Sequence, residues 1–442
     1  MTLISLHEMG EVIRRVRKER GLRLEDLADE NISPATVSNI ERGVAHVSPE
    51  KVTYLLDKLD IPAQKLPEIL EKEQQELQEL FVQLQIVSTL REIGKFDEAL
   101  QTLDSMPVDD HHPLIPQVYY YKGRCYFSKK KYRQAERAFH NAIRSVQQGE
   151  NQENNIESAG YLMLGVIAYL QNNLTQALTY ANQGLNVWVQ GGERLHIRHL
   201  LLRNKGVCLQ RLGRITEGMQ LIQEIWDEVE QVDRIETKLM FYWLRADFSK
   251  RSGFLDEAIQ FTLQGITLAR RNSKLVSLFE LWTLLGSIYL EQKKYHLAEQ
   301  ALETAQKLRG SFPDGARLAS VYTQFGLLSM VNKDLDKSYE YFLEAITISK
   351  KYQDAARLIS NLSVMGEICR KRGQAAEAID YLQQAVALAE KHEYKEREAK
   401  LWMQLASCYE GIDDKEFIHC MRKTYSLQQT KQESYIVHND II

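Results

Sequence analysis

The sequence predicts an all-α protein: a small helical bundle of roughly sixty residues, followed by a superhelix of stacked helical hairpins. Three observations carry this. A small residue returns at Gly123, Gly165, Gly206, Ala246, Gly286, Gly326, Gly366 and Ala406, in steps of 42 and 41 and then of 40 residues. Twelve positions later a second mostly small series runs Ala135, Ala177, Gly218, Ala258, Ala298, Ser338 and Ala378. Paired small residues at this period let two helix axes approach closely where they cross. Third, only 8 of 442 residues are Pro and apolar–polar alternation is rare, so strands are not expected.

Residues 6–61 stand outside the period and read as short helices with clear punctuation. In the stretch from Leu6 to Gly21, Met9, Ile13 and Val16 share one face, and Gly21 is a natural C-cap. Leu24, Leu27 and Ala28 point inward from a second short helix. Ser33 caps a third helix with Pro34 at its first position, and Gly43 closes it. Ser48 and Pro49 repeat the device for a fourth. Leu27, Val37 and Ile40 are read as core, and Glu41 as structural.

This arrangement resembles the lambda-repressor-like helix-turn-helix domain. The residues that carry the resemblance are Arg14 and Arg17, "GLRLEDLA" at 21–28, "ISPATVSNIERG" at 32–43, and Leu55, Leu56 and Leu59. It implies a domain over 1–64 whose third helix enters the major groove of duplex DNA. Carried over by position, Ser33, Ala35, Thr36, Asn39 and Arg42 read base edges, and Arg14, Arg17, Lys18 and Arg23 contact phosphate. The family's usual Gln at the start of the second helix is Leu24 here, and Arg23 beside it is the phosphate candidate instead. Residues 1–65 hold 10 Lys and Arg against 11 Asp and Glu, so the domain is not basic in sum. Only 14–23 is basic, with six positive charges and one Glu, so DNA binding would depend on a local patch and on a dimer matching two half-sites.

Residues 65–80 are acidic and helix-favouring, with Leu66, Leu70, Leu77 and Leu80 on one edge, and read as a linker helix. The repeats follow over 81–428. In their first helices Tyr161, Trp282, Tyr322 and Trp402 precede the small residue by four. In their second helices Phe139, Leu302, Phe342 and Leu382 follow it by four, which is helical spacing. The pattern resembles the tetratricopeptide repeat, with 40 residues per unit, and implies a right-handed superhelix of about nine such repeats. The last unit has Ile418 in the small position, as terminal units of solenoids often differ. Residues 429–442 read as a polar C-terminal tail. Resemblance to these repeats also places first-helix side chains in a concave groove. Here they are Tyr120, Arg124, Arg203, Asn204, Trp243, Asp247, Arg251, Glu280, Thr283, Ser287 and Thr323. Mixed charge, amides and aromatics suit an extended peptide, with Asp247 and Glu280 for an amine or basic side chain and Arg203 and Arg251 for a carboxylate.

The bulk composition, 44% hydrophobic and 26% charged, is that of a water-soluble globular chain, and no apolar run is long enough to span a membrane. The N-terminus lacks a signal-peptide core, so a cytoplasmic location is expected. Five cysteines at 125, 208, 369, 408 and 420 show no metal spacing and read as packed small hydrophobes. No cofactor or metal is expected, and no phosphate-binding glycine loop, zinc motif or nucleophile–base set suggests an enzyme. His111 and His112 fall in a proline-flanked loop and read as solvated.

The two parts together resemble the RRNPP family of bacterial quorum-sensing regulators. The resemblance implies a transcriptional regulator that binds operator DNA and a short signalling peptide, acting as a homodimer or higher oligomer. The alternative it implies is a Rap-like protein that binds a phosphorelay response regulator and promotes its dephosphorylation, with Gln74, Gln75 or Gln78 orienting water.

Overall fold

The computed structural model describes residues 6–44, 47–62, 66–109, 112–149, 152–313 and 315–439. Among them every regular element is helical. None of those helices is long and apolar enough to cross a membrane. The expected boundary between 64 and 65, His111, and the side chains of Leu66 and Gln74 lie outside the described residues. The chain divides into two compact units, 1–109 with 124–131, and 110–123 with 132–442.

The first unit holds α1 (Leu6–Glu19), α2 (Pro34–Glu41), α3 (Pro49–Lys58), α4 (Leu66–Glu92) and α5 (Phe96–Ser105). Val12 and Ile13 of α1 meet Val37 and Ile40 of α2 and Leu55, Leu56 and Leu59 at α3, all buried. Ile69 and Leu70 of α4 pack against the same core. The expected linker helix is therefore the start of a 27-residue helix that continues into the first repeat.

The second short helix expected within 22–31 is corrected to one 3-10 turn, Glu25–Leu27. Side chains capture the backbone here. Asp26 Oδ2 accepts the Arg23 N–H at 2.7 Å, and Asp29 Oδ1 accepts the N–H groups of Asn31 and Ile32 at 2.9 and 3.1 Å. Such local bonds offer backbone donors an alternative to a helix.

The second unit is a stack of hairpins. Helix α6 (Ile115–Ser128) is divided between the units at Gly123. Then come α7 (Tyr132–Gln148), α8 (Ile156–Leu170), α9 (Leu174–Asn186), α10 (His196–Leu212), α11 (Ile215–Ile225), α12 (Ile235–Arg251) and α13 (Leu255–Arg271). The stack continues through α14 (Leu275–Glu291), α15 (Tyr295–Lys307), α16 (Leu318–Val331), α17 (Leu335–Lys351), α18 (Ala355–Lys371), α19 (Ala375–Lys391), α20 (Lys395–Tyr409) and α21 (Asp414–Asn439). Helix α21 runs on to Asn439, within the region read as a polar tail.

The periodic small residues have a direct physical cause. A Cβ added at Gly123 would lie 2.6 Å from the Phe139 ring, at Gly286 2.6 Å from Leu302, at Gly326 2.6 Å from Phe342, and at Gly366 2.7 Å from Leu382. Each glycine admits the large residue that sits sixteen positions later in the next helix. We predict that Gly326→Ala lowers stability by about 1–3 kcal/mol, because Phe342 is enclosed and cannot yield without strain. Urea unfolding monitored by circular dichroism checks it.

The turns share a second device. Asn172, Gly213, Gly253, Lys293, Lys333 and Gly373 have φ between 60 and 85°. In each case the next residue's N–H reaches back to a carbonyl five positions earlier, as in Asp334 to Ser329 at 2.9 Å. This left-handed closure stops one helix and reverses the chain into the next.

The second unit also closes on itself. Asn172, between α8 and α9, donates from Nδ2 to the Gln353 carbonyl at 2.8 Å and accepts the Ala355 N–H at 3.1 Å. Tyr394 donates its hydroxyl to the Asn172 carbonyl at 2.9 Å. Arg211, at the end of α10, grips both oxygens of Asp354 at 2.6 and 3.1 Å. Leu174 joins the core of Phe342, Leu358 and Leu382. We call this contact, between hairpins far apart in sequence, the clasp.

Candidate functional site

Two sites emerge, one in each unit. In the first, α2 is fixed at its start by Ser33, whose Oγ accepts the Thr36 N–H at 3.2 Å and lies 2.8 Å from the Thr36 hydroxyl. Pro34 follows at the first helical position. Val37, Ile40 and Glu41 face inward, while Ser33, Ala35 and Arg42 are exposed and Thr36 and Asn39 half-buried. Asn39 Oδ1 accepts Arg42 Nη2 at 2.6 Å, so these two expected base readers are joined on the outer face.

The basic patch divides. Lys18 and Arg23 are exposed and Arg14 is half-buried. Arg17 is corrected from a phosphate contact to a structural residue. Its Nε and Nη2 donate to the two Glu41 oxygens at 2.6 and 2.9 Å, and Nη1 donates to the Leu22 carbonyl at 2.8 Å. The Glu41 hydrogen bond outweighs burial and holds the Arg17 guanidinium above its ordinary pKa. A buried carboxylate needs such a partner, and Arg17 tethers α1 to α2.

In the second unit the first helices of successive hairpins line a cavity of about 330 Å³ with mixed polar and apolar walls. Trp243, Asp247, Arg251, Glu280, Thr283, Ser287 and Thr323 all line it, as do Gln210, Arg211 and Lys250. Tyr120 does not. It is 7% exposed and its ring packs on Phe139, so it belongs to the core. Arg124 belongs to the segment 124–131 of the first unit. Arg203 and Asn204 bond to each other at 2.9 Å and are not among the lining residues.

Asp247 is 3% exposed and already satisfied. Its Oδ2 accepts Arg251 Nε at 2.7 Å and Gln210 Nε2 at 3.1 Å, and Lys250 Nζ is 3.9 Å from Oδ1. It positions cations rather than offering an empty acceptor. Glu280 lies 3.7 Å from Arg317, and burial pushes its carboxyl up. The hydroxyls are satisfied within their helices, Thr283 to the Phe279 carbonyl at 2.8 Å and Ser287 to the Leu284 carbonyl at 2.7 Å. Thr323 Oγ1 is 2.8 Å from Asn361 Oδ1.

The structure adds residues the sequence reading missed. Arg317, Arg357 and Arg397 all line the cavity, one per hairpin at the repeat period, each nine residues before its small residue. That shared spacing was the available signal. Gln75 and Gln78 are exposed on α4. The five cysteines are buried, and burial pushes the Cys208 thiol up to about 12, an unreactive state.

Residues 13–66 match the helix-turn-helix family, and 279–312 and 317–391 match tetratricopeptide repeats. The chain joins a helix-turn-helix domain to tetratricopeptide repeats. The fold is similar to a Rap protein solved with competence and sporulation factor, at 12% identity and a TM-score of 0.56, covering 80% of this chain and 99% of that one. It is also similar to the apo form of RapI, at 12% identity and a TM-score of 0.53, covering 86% and 98%. NprR in complex with its cognate peptide NprX matches at 16% identity and a TM-score of 0.48 over 68% and 85%. No curated protein matches the chain by sequence.

Proposed function

We propose that this protein is a peptide-responsive transcriptional regulator of the RRNPP type. It binds duplex DNA through the outer face of α2 and a short signalling peptide in the cavity of its repeats. The observation that carries the reading is the presence in one chain of a capped, outward-facing α2 and a cavity lined by seven successive first helices, α8 to α20. Asn39 can pair with adenine in a bidentate manner, and the small side chains of Ala35 and Thr36 suit a thymine methyl. Lys18 and Arg23 supply phosphate contacts. The similar Rap protein was solved with competence and sporulation factor, which supports a ligand site in the repeats.

Peptide and DNA each favour particular conformations, and two ligands of one molecule that do so must influence each other reciprocally. A homodimer matching two half-sites fits the small charge of the DNA domain.

The test begins with duplexes selected from a random pool at fixed salt. Asn39→Ala should cost about 1–3 kcal/mol of affinity and relax selection at one base position. Equal loss on every sequence, with an unchanged selected site, would remove Asn39 from base reading. If the full chain selects no sequence at all, the regulator reading fails.

A further inference from the structure

The cavity is strongly unbalanced in charge. Arg211, Lys250, Arg251, Arg317, Arg357 and Arg397 line it, against Asp247 and Glu280. Adding Asp354, which Arg211 and Arg357 both contact, leaves six cations facing three carboxylates. One of the three surplus charges lies where Lys250 and Arg251 share Asp247, and the other two lie at the clasp. Among the described residues Arg397 forms no ion pair with a carboxylate. It donates to the carbonyls of Arg211 and Ala356 and to the Ser360 hydroxyl, which do not neutralise it. Arg357 donates to the Ala316 carbonyl at 2.5 Å and shares Asp354 with Arg211. A partly buried cluster of guanidinium groups with too few counter-charges is poised to take up anions.

The same arginines build the clasp. Arg211 stacks over the Tyr169 ring at 5.1 Å, accepts Arg397 Nη2 at its carbonyl at 2.7 Å, and holds Asp354. Asp354 is the N-cap of α18, accepting the Arg357 N–H at 3.2 Å. Burial opposes its ionisation, but Arg211 and Arg357 prevail and hold its carboxyl below the usual range. One internal carboxylate thus occupies two of the cavity's cations and ties distant hairpins together.

We propose that the ligand of this cavity is an acidic peptide, whose carboxylates seat on Arg317, Arg357 and Arg397 and compete with Asp354 for Arg211 and Arg357, so that binding loosens the clasp. This rests on the peptide reading of the cavity and adds its ligand chemistry and its mechanical consequence. The carboxylate forks of Asp, Glu and a free C-terminus match the planar guanidinium fork. A basic or neutral peptide would leave the surplus charge uncompensated.

The experiment uses the full chain and two randomised heptapeptide pools, one carrying Asp and Glu, the other Asn and Gln at the same positions. Binding is read by fluorescence anisotropy of labelled pools. Opening is read by amide exchange at Ala355, whose N–H is held by Asn172. The acidic pool should bind at least tenfold tighter, weaken with salt, and speed exchange at Ala355. Arg357→Gln with Arg397→Gln should remove that preference, while Arg397→Lys retains part of it, and unchanged circular dichroism confirms folding. Asp354→Asn alone should speed exchange at Ala355 without any peptide. Equal binding of both pools overturns the acidic preference while leaving a peptide site intact. Binding of neither pool overturns both this inference and the peptide reading. Inorganic polyphosphate displacing the acidic pool from the arginines at lower concentration than unlabelled acidic peptide overturns the assignment to a peptide. Tight acidic binding with Ala355 still protected overturns the clasp coupling.

Discussion

Replacing Arg17 by Ala should destabilise the N-terminal bundle by about 3–5 kcal/mol, a loss comparable with the whole stability of a small domain. The pair it breaks is nearly enclosed, with Arg17 and Glu41 side chains 11% and 5% exposed. Without the guanidinium, the Glu41 carboxylate stays inside with two fewer donors, and Leu22 loses the bond to its carbonyl. The two units can be followed separately. All five Trp residues lie between 188 and 402, so tryptophan fluorescence reports on the repeats alone. Amide exchange at Val37 and Leu55 follows the bundle. In Arg17→Ala, exchange at those two amides should rise strongly while the tryptophan melt stays where it was. Replacing both partners by apolar residues, Arg17→Met with Glu41→Leu, should recover most of the loss, because a buried ion pair often does no better than well-packed hydrophobes. If Arg17→Ala leaves bundle exchange unchanged but lowers DNA affinity evenly across sequences, Arg17 is a phosphate contact after all.

Arg17 also shows where the sequence stops being informative. A run of basic residues before a helix-turn-helix pattern looks like a phosphate patch, and nothing local says that one member turns inward. The partner, Glu41, is 24 positions away and becomes its neighbour only when α1 packs on α2. The repeat was legible for the opposite reason. Close crossing of two helices demands a small residue at one defined place in every unit, so packing is written as a period. The turn at 25–27 was not legible, because Asp26 and Asp29 win backbone donors that helical spacing alone would assign to a helix. Most of the cavity stripe was legible from first-helix positions, since Trp243, Asp247, Arg251, Glu280, Thr283, Ser287 and Thr323 do line it. Their pairing was not. Asp247 looks like an open acceptor in sequence and is consumed by Gln210 and Arg251 in space. The clasp joins residues 143 to 222 positions apart, as between Arg211 and Asp354 or Tyr394 and Asn172, and no periodic argument reaches that far.

The second large effect is expected at Phe342. Its side chain is fully buried in α17 and belongs to the core that also holds Leu382, Met365 and Leu174. Phe342→Ala should cost about 3–5 kcal/mol, combining lost transfer energy with an unfilled cavity. In a solenoid each hairpin is supported by its neighbours, so the loss should appear as early unfolding of the hairpins around α16 to α19 rather than of the N-terminal bundle. Leu174 carries it further, because that residue brings α9 of a distant hairpin onto the same core. Amide exchange should therefore rise at Ala177 of α9, whose N–H is bonded to the Asn173 carbonyl, as well as at Ile346 and Leu382, without change at Val37. The pairing with Gly326 gives an internal check. In the Phe342→Ala background the ring that Gly326 makes room for is gone, so Gly326→Ala no longer meets it at 2.6 Å. The second substitution should then be neutral or stabilising, although it is costly alone. Coupling of about 0.5–3 kcal/mol in this double-mutant cycle is the sign of direct contact. Simple additivity of the two losses would mean that the glycine series answers to something other than the large residue sixteen positions on.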